Sequence, residues 1–326
     1  MSPMRRSALV LAALLPAGAL AGESPETAPV HDPSTIVKCQ GEYWVFATGR
    51  GIISRHSHDL LNWEAGPRVF TNPPAWTTNA VPGNRGFFWA PDIVRLGDRY
   101  LLYYSVSTWG SQTSVIGLAT NPTLDPTTPN YHWTDQGPVL ESSPSDDCNA
   151  IDPSVMLARD GQLWLAFGSY WSGIKLEPLD PQTGKRPTGP GDAGGRGKAR
   201  RFALAWKEAI EASCLYQHSD WFYLFVNWGQ CCRGTNSTYN IRVGRSRAVT
   251  GPYLDKAGKN LLEGGGTLVL GTEGRFVGPG HAGVLSEGGT NWLSFHYYTS
   301  RQRGAAALGL RPLTWTAEGW PEVKPP

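Results

Sequence analysis

The chain has 326 residues and a formal net charge of +2, with 29 Lys and Arg against 27 Asp and Glu. Charge this balanced leaves no electrostatic footprint for a nucleic-acid partner, and the length suits one large all-β domain or two smaller ones. The bias is aromatic: 14 Trp, 12 Tyr and 10 Phe suit strand cores, and a surplus beyond the core would stack on a flat, weakly polar ligand.

The first 21 residues read as an export leader. Arg5-Arg6 gives a basic start, Ala8 to Leu15 a short apolar run, and Ala19-Leu20-Ala21 a small-residue cleavage site. The run is too short to span a bilayer, and no other segment is long enough, so no membrane partner is expected. Residues 22–30 are polar and contain proline, which predicts a flexible lead-in. Residues 31–326 read as a single domain. Export permits disulfides, and there are five cysteines: Cys39, Cys148, Cys214, Cys231 and Cys232. The odd number leaves at least one thiol unpaired within a monomer. Cys231 and Cys232, about 3.8 Å apart at Cα as neighbours, fall short of the usual spacing for a bridge. Cys39 and Cys214 read as buried thiols.

Four acidic residues and a histidine then open successive units: Asp32, Asp92, Asp152, Glu211 and His281, at steps of 60, 60, 59 and 70 residues. About ten residues after each comes a hydrophobic run: Tyr43-Trp-Val-Phe46, Tyr100-Leu-Leu-Tyr-Tyr104, Leu163-Trp-Leu-Ala-Phe167, Trp221 to Val226, and Trp292-Leu-Ser-Phe295. Further strands are predicted at Gly51–His56 and near Trp63, at Ser114–Ala119 and Tyr131–Trp133, and at Tyr239–Gly244. Turn chemistry separates them at Asn121-Pro122, Asp160-Gly161, Thr250-Gly-Pro252 and Glu287-Gly-Gly289. A long period with strands and turns inside each unit is the mark of radial repetition. The pattern predicts an all-β, five-bladed β-propeller of four-stranded blades, and the even repeat argues against a pair of sandwiches. Residues 178–201, rich in glycine, with Lys185, Arg186, Arg196, Lys198, Arg200 and Arg201, read as a long mobile loop between blades three and four.

If equivalent strands line one axis, the residues that open the units converge there. Asp32, Asp152 and Glu211 each sit among apolar or imino neighbours, where an unpaired carboxylate is costly. Glycosidic hydrolysis needs one carboxyl to protonate the leaving oxygen and a second to activate water or attack the sugar, and a third nearby raises the acid's pKa by repulsion.

A series of fragments runs along the chain in one order: His31-Asp-Pro33, Phe88-Trp-Ala-Pro-Asp-Ile93, Tyr103 to Thr108, Ser114 to Asn121, Asn149-Ala-Ile-Asp152, Phe167 to Ile174, Cys231-Cys-Arg-Gly234, Ser237-Thr-Tyr239, Val243 to Ser246, Thr250 to Tyr253, Gly278-Pro-Gly-His281 and Trp315 through Pro321. In these fragments the chain resembles glycoside hydrolase family 43, in particular the endo-1,5-α-L-arabinanases. The resemblance implies an inverting, internally cutting hydrolase of α-1,5-linked L-arabinan, monomeric, with its site across one end of the central channel. It implies Asp32 as general base, Glu211 as general acid and Asp152 as the carboxylate that orients and tunes the acid. Inversion places base and acid about 6.5 to 9.5 Å apart. Sugar contacts are implied for Asn149, Ala150, Ile151, Ser169, Tyr170, Trp171 and Gly110. Phe88, Trp89 and Trp109 are candidate stacking platforms, and Asp92 either lines the cleft or braces it. The same resemblance gives His281 a calcium or sodium ion in the channel, held mostly through waters and supporting the chemistry without activating water. His296 reads as structural. Two departures stand out: Ser213 replaces a usual proline after the acid, implying a looser turn, and Thr299 replaces a usual Asp. Rival readings are an exo-acting arabinofuranosidase or β-xylosidase of the same family, a five-bladed retaining enzyme acting on fructosides, and a non-catalytic carbohydrate-binding propeller. The cations of the 178–201 loop would favour arabinan borne on acidic pectic backbones.

Overall fold

The computed structural model describes residues 28–187, 200–300 and 303–324. The proposed leader and most of the 22–30 segment lie outside them. The chain forms five antiparallel sheets arranged as blades. Each aromatic run named above falls in the second strand of a blade: Glu42–Ala47, Arg99–Val106, Leu163–Phe167, Trp221–Trp228 and Thr290–Thr299. Alternate side chains of a strand point to opposite faces, and a blade has a neighbour on both, so these strands are largely apolar on both faces. Four blades have four strands; the second carries an additional short strand, Gly49–Arg50, donated by the connection between the second and third strands of blade one. The longest α-helix among the described residues is Ala75–Ala80, six residues.

The expected strand at Tyr131–Trp133 is not one. The outer strand of blade two runs from Thr134 to Ser142, and Trp133 instead sets its ring edge-on to Phe46 of blade one.

Five apolar clusters fill the five gaps between blades. Trp44 and Phe46 meet Ile93 and Tyr104 between blades one and two, and Leu101 and Tyr103 meet Val155 and Leu165 between two and three. Ala166 and Ile174 meet Leu224 and Val226, and Phe225 and Val243 meet Leu293 and Phe295. The fifth gap closes the ring: Tyr43 and Val45 of blade one pack with Leu285 and Leu308 of blade five, together with Ala28 and Val30. These last two belong to the segment expected to be flexible. Instead, Pro29 bridges Ala307, Val30 N–H donates to the Ala306 carbonyl at 3.3 Å, and Leu308 N–H donates to that of Ala28 at 3.3 Å.

The loop reading for 178–201 needs a similar correction at its ends. Pro178 and Leu179 finish the strand Ile174–Leu179, and the Gly184 carbonyl accepts from Tyr103 Oη at 2.6 Å. Arg186 and Arg201 both bond the buried carboxylate of Glu177 at 2.7 Å. A buried charge needs such partners, so these two cations serve the fold and are not spare for a polyanion. Residues 188–199 lie outside the described residues.

Candidate active site

The first strands of successive blades lie against one another around the axis, and at one end of them the backbone makes the same unusual turn five times. Asp32, Ala90, Asp152, Ala212 and His281 all adopt left-handed φ, between 41° and 58°. Each comes one residue after the position that meets the end of its blade's second strand. Thr48 N–H donates to His31 O and Gly168 N–H to Ile151 O, while Trp89 pairs with Ser105, Glu211 with Asn227 and Gly280 with His296. In blades two, four and five the left-handed residue forms a bulge. Such a conformation costs a non-glycine residue about 1 kcal/mol or more and persists only where the surroundings impose it. The structural repeat is therefore 32, 90, 152, 212 and 281. Asp92 stands two residues after its blade's turn, and Glu211 one residue before.

That offset decides what Asp92 does. It does not line the cleft. Its buried carboxylate accepts from Thr35 N–H at 2.9 Å and Val155 N–H at 2.8 Å, tying blade two to the strands that follow Asp32 and Asp152. Burial outweighs these bonds and pushes its pKa up to about 6. The sugar contact assigned to Asp92 is thus corrected to an inter-blade brace.

The other carboxylates share a cleft of about 870 Å³. Asp32 Oδ2 accepts from Thr48 Oγ1 at 2.6 Å and meets His31 Nδ1 at 2.8 Å. Its Oδ1 faces His281 Nδ1 at 3.6 Å and His296 Nδ1 at 3.5 Å. Burial alone would raise the Asp32 pKa, but the charge and hydrogen bond of His31, with His281 and His296, hold it well below the usual carboxylate range. His31 responds in kind: burial works against its charge, yet Asp32 raises its pKa. Glu211 and Asp152 move the other way. Burial raises both, helped at Asp152 by the charges of Glu211 and Asp32 and at Glu211 by that of Asp32. Ser169 Oγ donates to Glu211 at 2.6 Å, as does the Tyr239 hydroxyl. Asp152 Oδ2 accepts Ala212 N–H at 3.1 Å, which pins the bulge that carries Glu211. The turn expected to be loose at Ser213 is held from this side. One cleft thus contains a bare carboxylate and a pair that retains a proton.

Trp89, Trp109, Gly110, Asn149, Ile151, Ser169, Tyr170 and Trp171 all line this cleft, as the sequence predicts, and so does His281. Asn149 Oδ1 is buried without a partner among the described residues, an acceptor suited to a sugar hydroxyl. Two expectations fail. Ala150 points into the core between blades two and three, and Phe88 is wholly buried while its neighbour Phe87 faces the cleft. Successive strand residues face opposite ways, so a one-residue error swaps platform for core. His31, Thr48 and Tyr239 were not singled out as site residues; His31 and Tyr239 lay inside the quoted fragments, beside Asp32 and within Ser237-Thr-Tyr239. Cys231 and Cys232, which also line the cleft, are joined as a vicinal disulfide, and Cys232 N–H donates to Tyr298 Oη at 2.8 Å. Cys39, Cys148 and Cys214 are buried free thiols.

For a cation, His31, Asp32 and His296 come close enough together to surround one, but the imidazole nitrogens on the Asp32 side are taken. Both ring nitrogens of His31 are engaged, by Asp32 and by Tyr298 Oη. His296 Nδ1 accepts Asp32 N–H, which assigns its proton to Nε2. His281 fits better: burial keeps it neutral, the ligand form, and its backbone is fixed by Asn227 Oδ1 at 2.9 Å. It supplies one nitrogen, so a hard cation there would take most of its oxygens from water.

The model of the family described as glycosyl hydrolases family 43 matches residues 27–321. An extracellular exo-α-(1→5)-L-arabinofuranosidase of Cellvibrio japonicus is 41% identical over 301 residues, spanning 90% of this chain and 86% of its own. The extracellular endo-α-(1→5)-L-arabinanase 1 of Bacillus subtilis is 40% identical over 300 residues, spanning 90% and 87%. Among solved structures, the Cellvibrio cellulosa α-L-arabinanase complexed with arabinohexaose superposes with a TM-score of 0.84 at 38% identity, covering 91% of this chain and 95% of that one. The GH43 endo-arabinanase of Bacillus licheniformis gives 0.83 at 40% identity, covering 92% and 99%.

Proposed function

The chain belongs to glycosyl hydrolases family 43, and from that premise we propose that it is a secreted, inverting endo-1,5-α-L-arabinanase. The observation that carries the reading is the split in proton affinity within one cleft: Asp32 held low, Asp152 and Glu211 held high. Hydrolysis with inversion needs that division. Asp32, ionised and accepting from Thr48 Oγ1, takes a proton from the attacking water. Glu211 gives its proton to the departing glycosidic oxygen, with Ser169 and Tyr239 stabilising the carboxylate that results. Asp152 forms with Glu211 a pair that resists losing its last proton, which keeps the acid loaded, and it pins the acid's bulge through Ala212 N–H. Trp89, Trp109, Tyr170 and Trp171 hold the sugar chain by stacking and exclude water, and Asn149 accepts a hydroxyl. His281 would hold a calcium or sodium ion chiefly through water, adding positive charge near Asp32 without generating the nucleophile. Export follows from the leader pattern of residues 1–21 and from the relatives named extracellular.

A second reading, exo action, is favoured by the relative named an exo-arabinofuranosidase. Products from linear α-1,5-arabinan separate the two. The endo reading expects a ladder of oligosaccharides from wild type that disappears in Glu211→Ala. A single short product from the first minutes establishes exo action, and an unaltered rate in Glu211→Ala removes the proposed acid.

A further inference from the structure

Among the described residues four large apolar aromatic side chains are substantially exposed: Phe87, Trp109, Trp171 and Trp206. The first three line the cleft. The fourth lies outside it but is fastened to its wall. Trp206 Nε1–H donates to the Trp171 carbonyl at 3.2 Å, and Trp206 backbone N–H donates to the Leu261 carbonyl at 3.0 Å. The indole is thus held in one orientation beside Trp171 while 47% of the residue remains exposed. Nearby Trp228 is not comparable, since Lys207 and Arg242 stand over its ring.

The position has a direction. Trp171 follows Tyr170, whose N–H donates to the Ile210 carbonyl at 2.8 Å, and Ser169 bonds Glu211 itself. This loop therefore rests on the flank of the acid. The acid protonates the leaving oxygen, so the sugars released by the cut lie on its flank. We infer that Trp206 is an outlying stacking platform that extends the substrate track past Trp171 on the leaving-group side, engaging arabinofuranosyl units of a long chain. The inference rests on the arabinan reading. A furanose presents a C–H face to an aromatic ring, and an indole already held by its own N–H on an anchored backbone loses little freedom on binding.

The test compares KM on linear α-1,5-arabinan with KM on arabinotriose, whose three sugars stay near the cut, for wild type, Trp206→Ala and Trp206→Phe. The ratio of the two KM values is expected to rise roughly three- to ten-fold in Trp206→Ala, the size of one stacking contact, and to return most of the way in Trp206→Phe. An unchanged ratio overturns the inference and leaves the arabinan reading standing. So does an equal rise on both substrates, or a Phe variant that restores nothing, because Trp206 would then act only by propping Trp171. Wild type inactive on both substrates sinks the arabinan reading itself, and this inference with it.

Discussion

Asp32 and Glu211 need opposite protonation states in the same cleft, and their neighbours supply the difference. Asp32 has three imidazoles around it, whereas Glu211 has neutral hydroxyls and a second carboxylate on the strand before it. Asp152 and Glu211 titrate as one pair, whose last proton leaves two charges side by side when it goes, so Asp152→Asn should leave Glu211 easier to ionise. In Asp152→Asn the alkaline limb of kcat/KM is expected to move about one unit towards acid pH, with a lower plateau. A limb that stays in place or moves to higher pH would show that Asp152 does not load the acid. At this scale the catalytic carboxylates were legible because acidic residues in apolar strand starts are conspicuous. The partners were not: Thr48 and Tyr239 lie 16 and 28 residues from the groups they bond, and only the turn of each blade brings them in.

At the level of the strand, the sequence repeat and the structural repeat agree in period and differ in phase. The aromatic second strands were readable because a strand buried on both faces must be apolar throughout. The bulges at Ala90 and Ala212 were not, since a left-handed alanine carries no mark in a sequence. Asp92 therefore looked like a fifth member of the ring of site residues, when the bulge sets it deeper, between blades one and three. Its raised pKa makes a linkage prediction. A group whose folded pKa exceeds its unfolded value of 3.8 contributes stability below that value and loses it as pH rises through about 6. Relative to Asp92→Asn, wild type should lose about 2.5 kcal/mol between pH 4 and pH 8, read from denaturant unfolding at the two pH values. A difference independent of pH would mean that Asp92 is already ionised at no cost, its two N–H donors compensating fully for burial.

The whole molecule is a ring of five interfaces, and four of them join blades adjacent in sequence. The fifth depends on Ala28 to Val30, which add an edge to the third strand of blade five and bury two apolar side chains against blade one. Removing residues 1–30, compared with removing 1–21, should lower Tm by about 5 °C, from the lost burial and two backbone hydrogen bonds. Equal melting temperatures would show that the fifth core seals the ring unaided. Closure of this kind also has a timetable. Pro29 leaves the ribosome 278 residues before its partner Ala307, a delay of about 15 to 55 seconds at ordinary rates of synthesis. Throughout that interval, the segment that locks the circle waits with no strand to join. Such a chain reaches its final shape only after synthesis nears its end, a schedule compatible with threading it across a membrane before it folds.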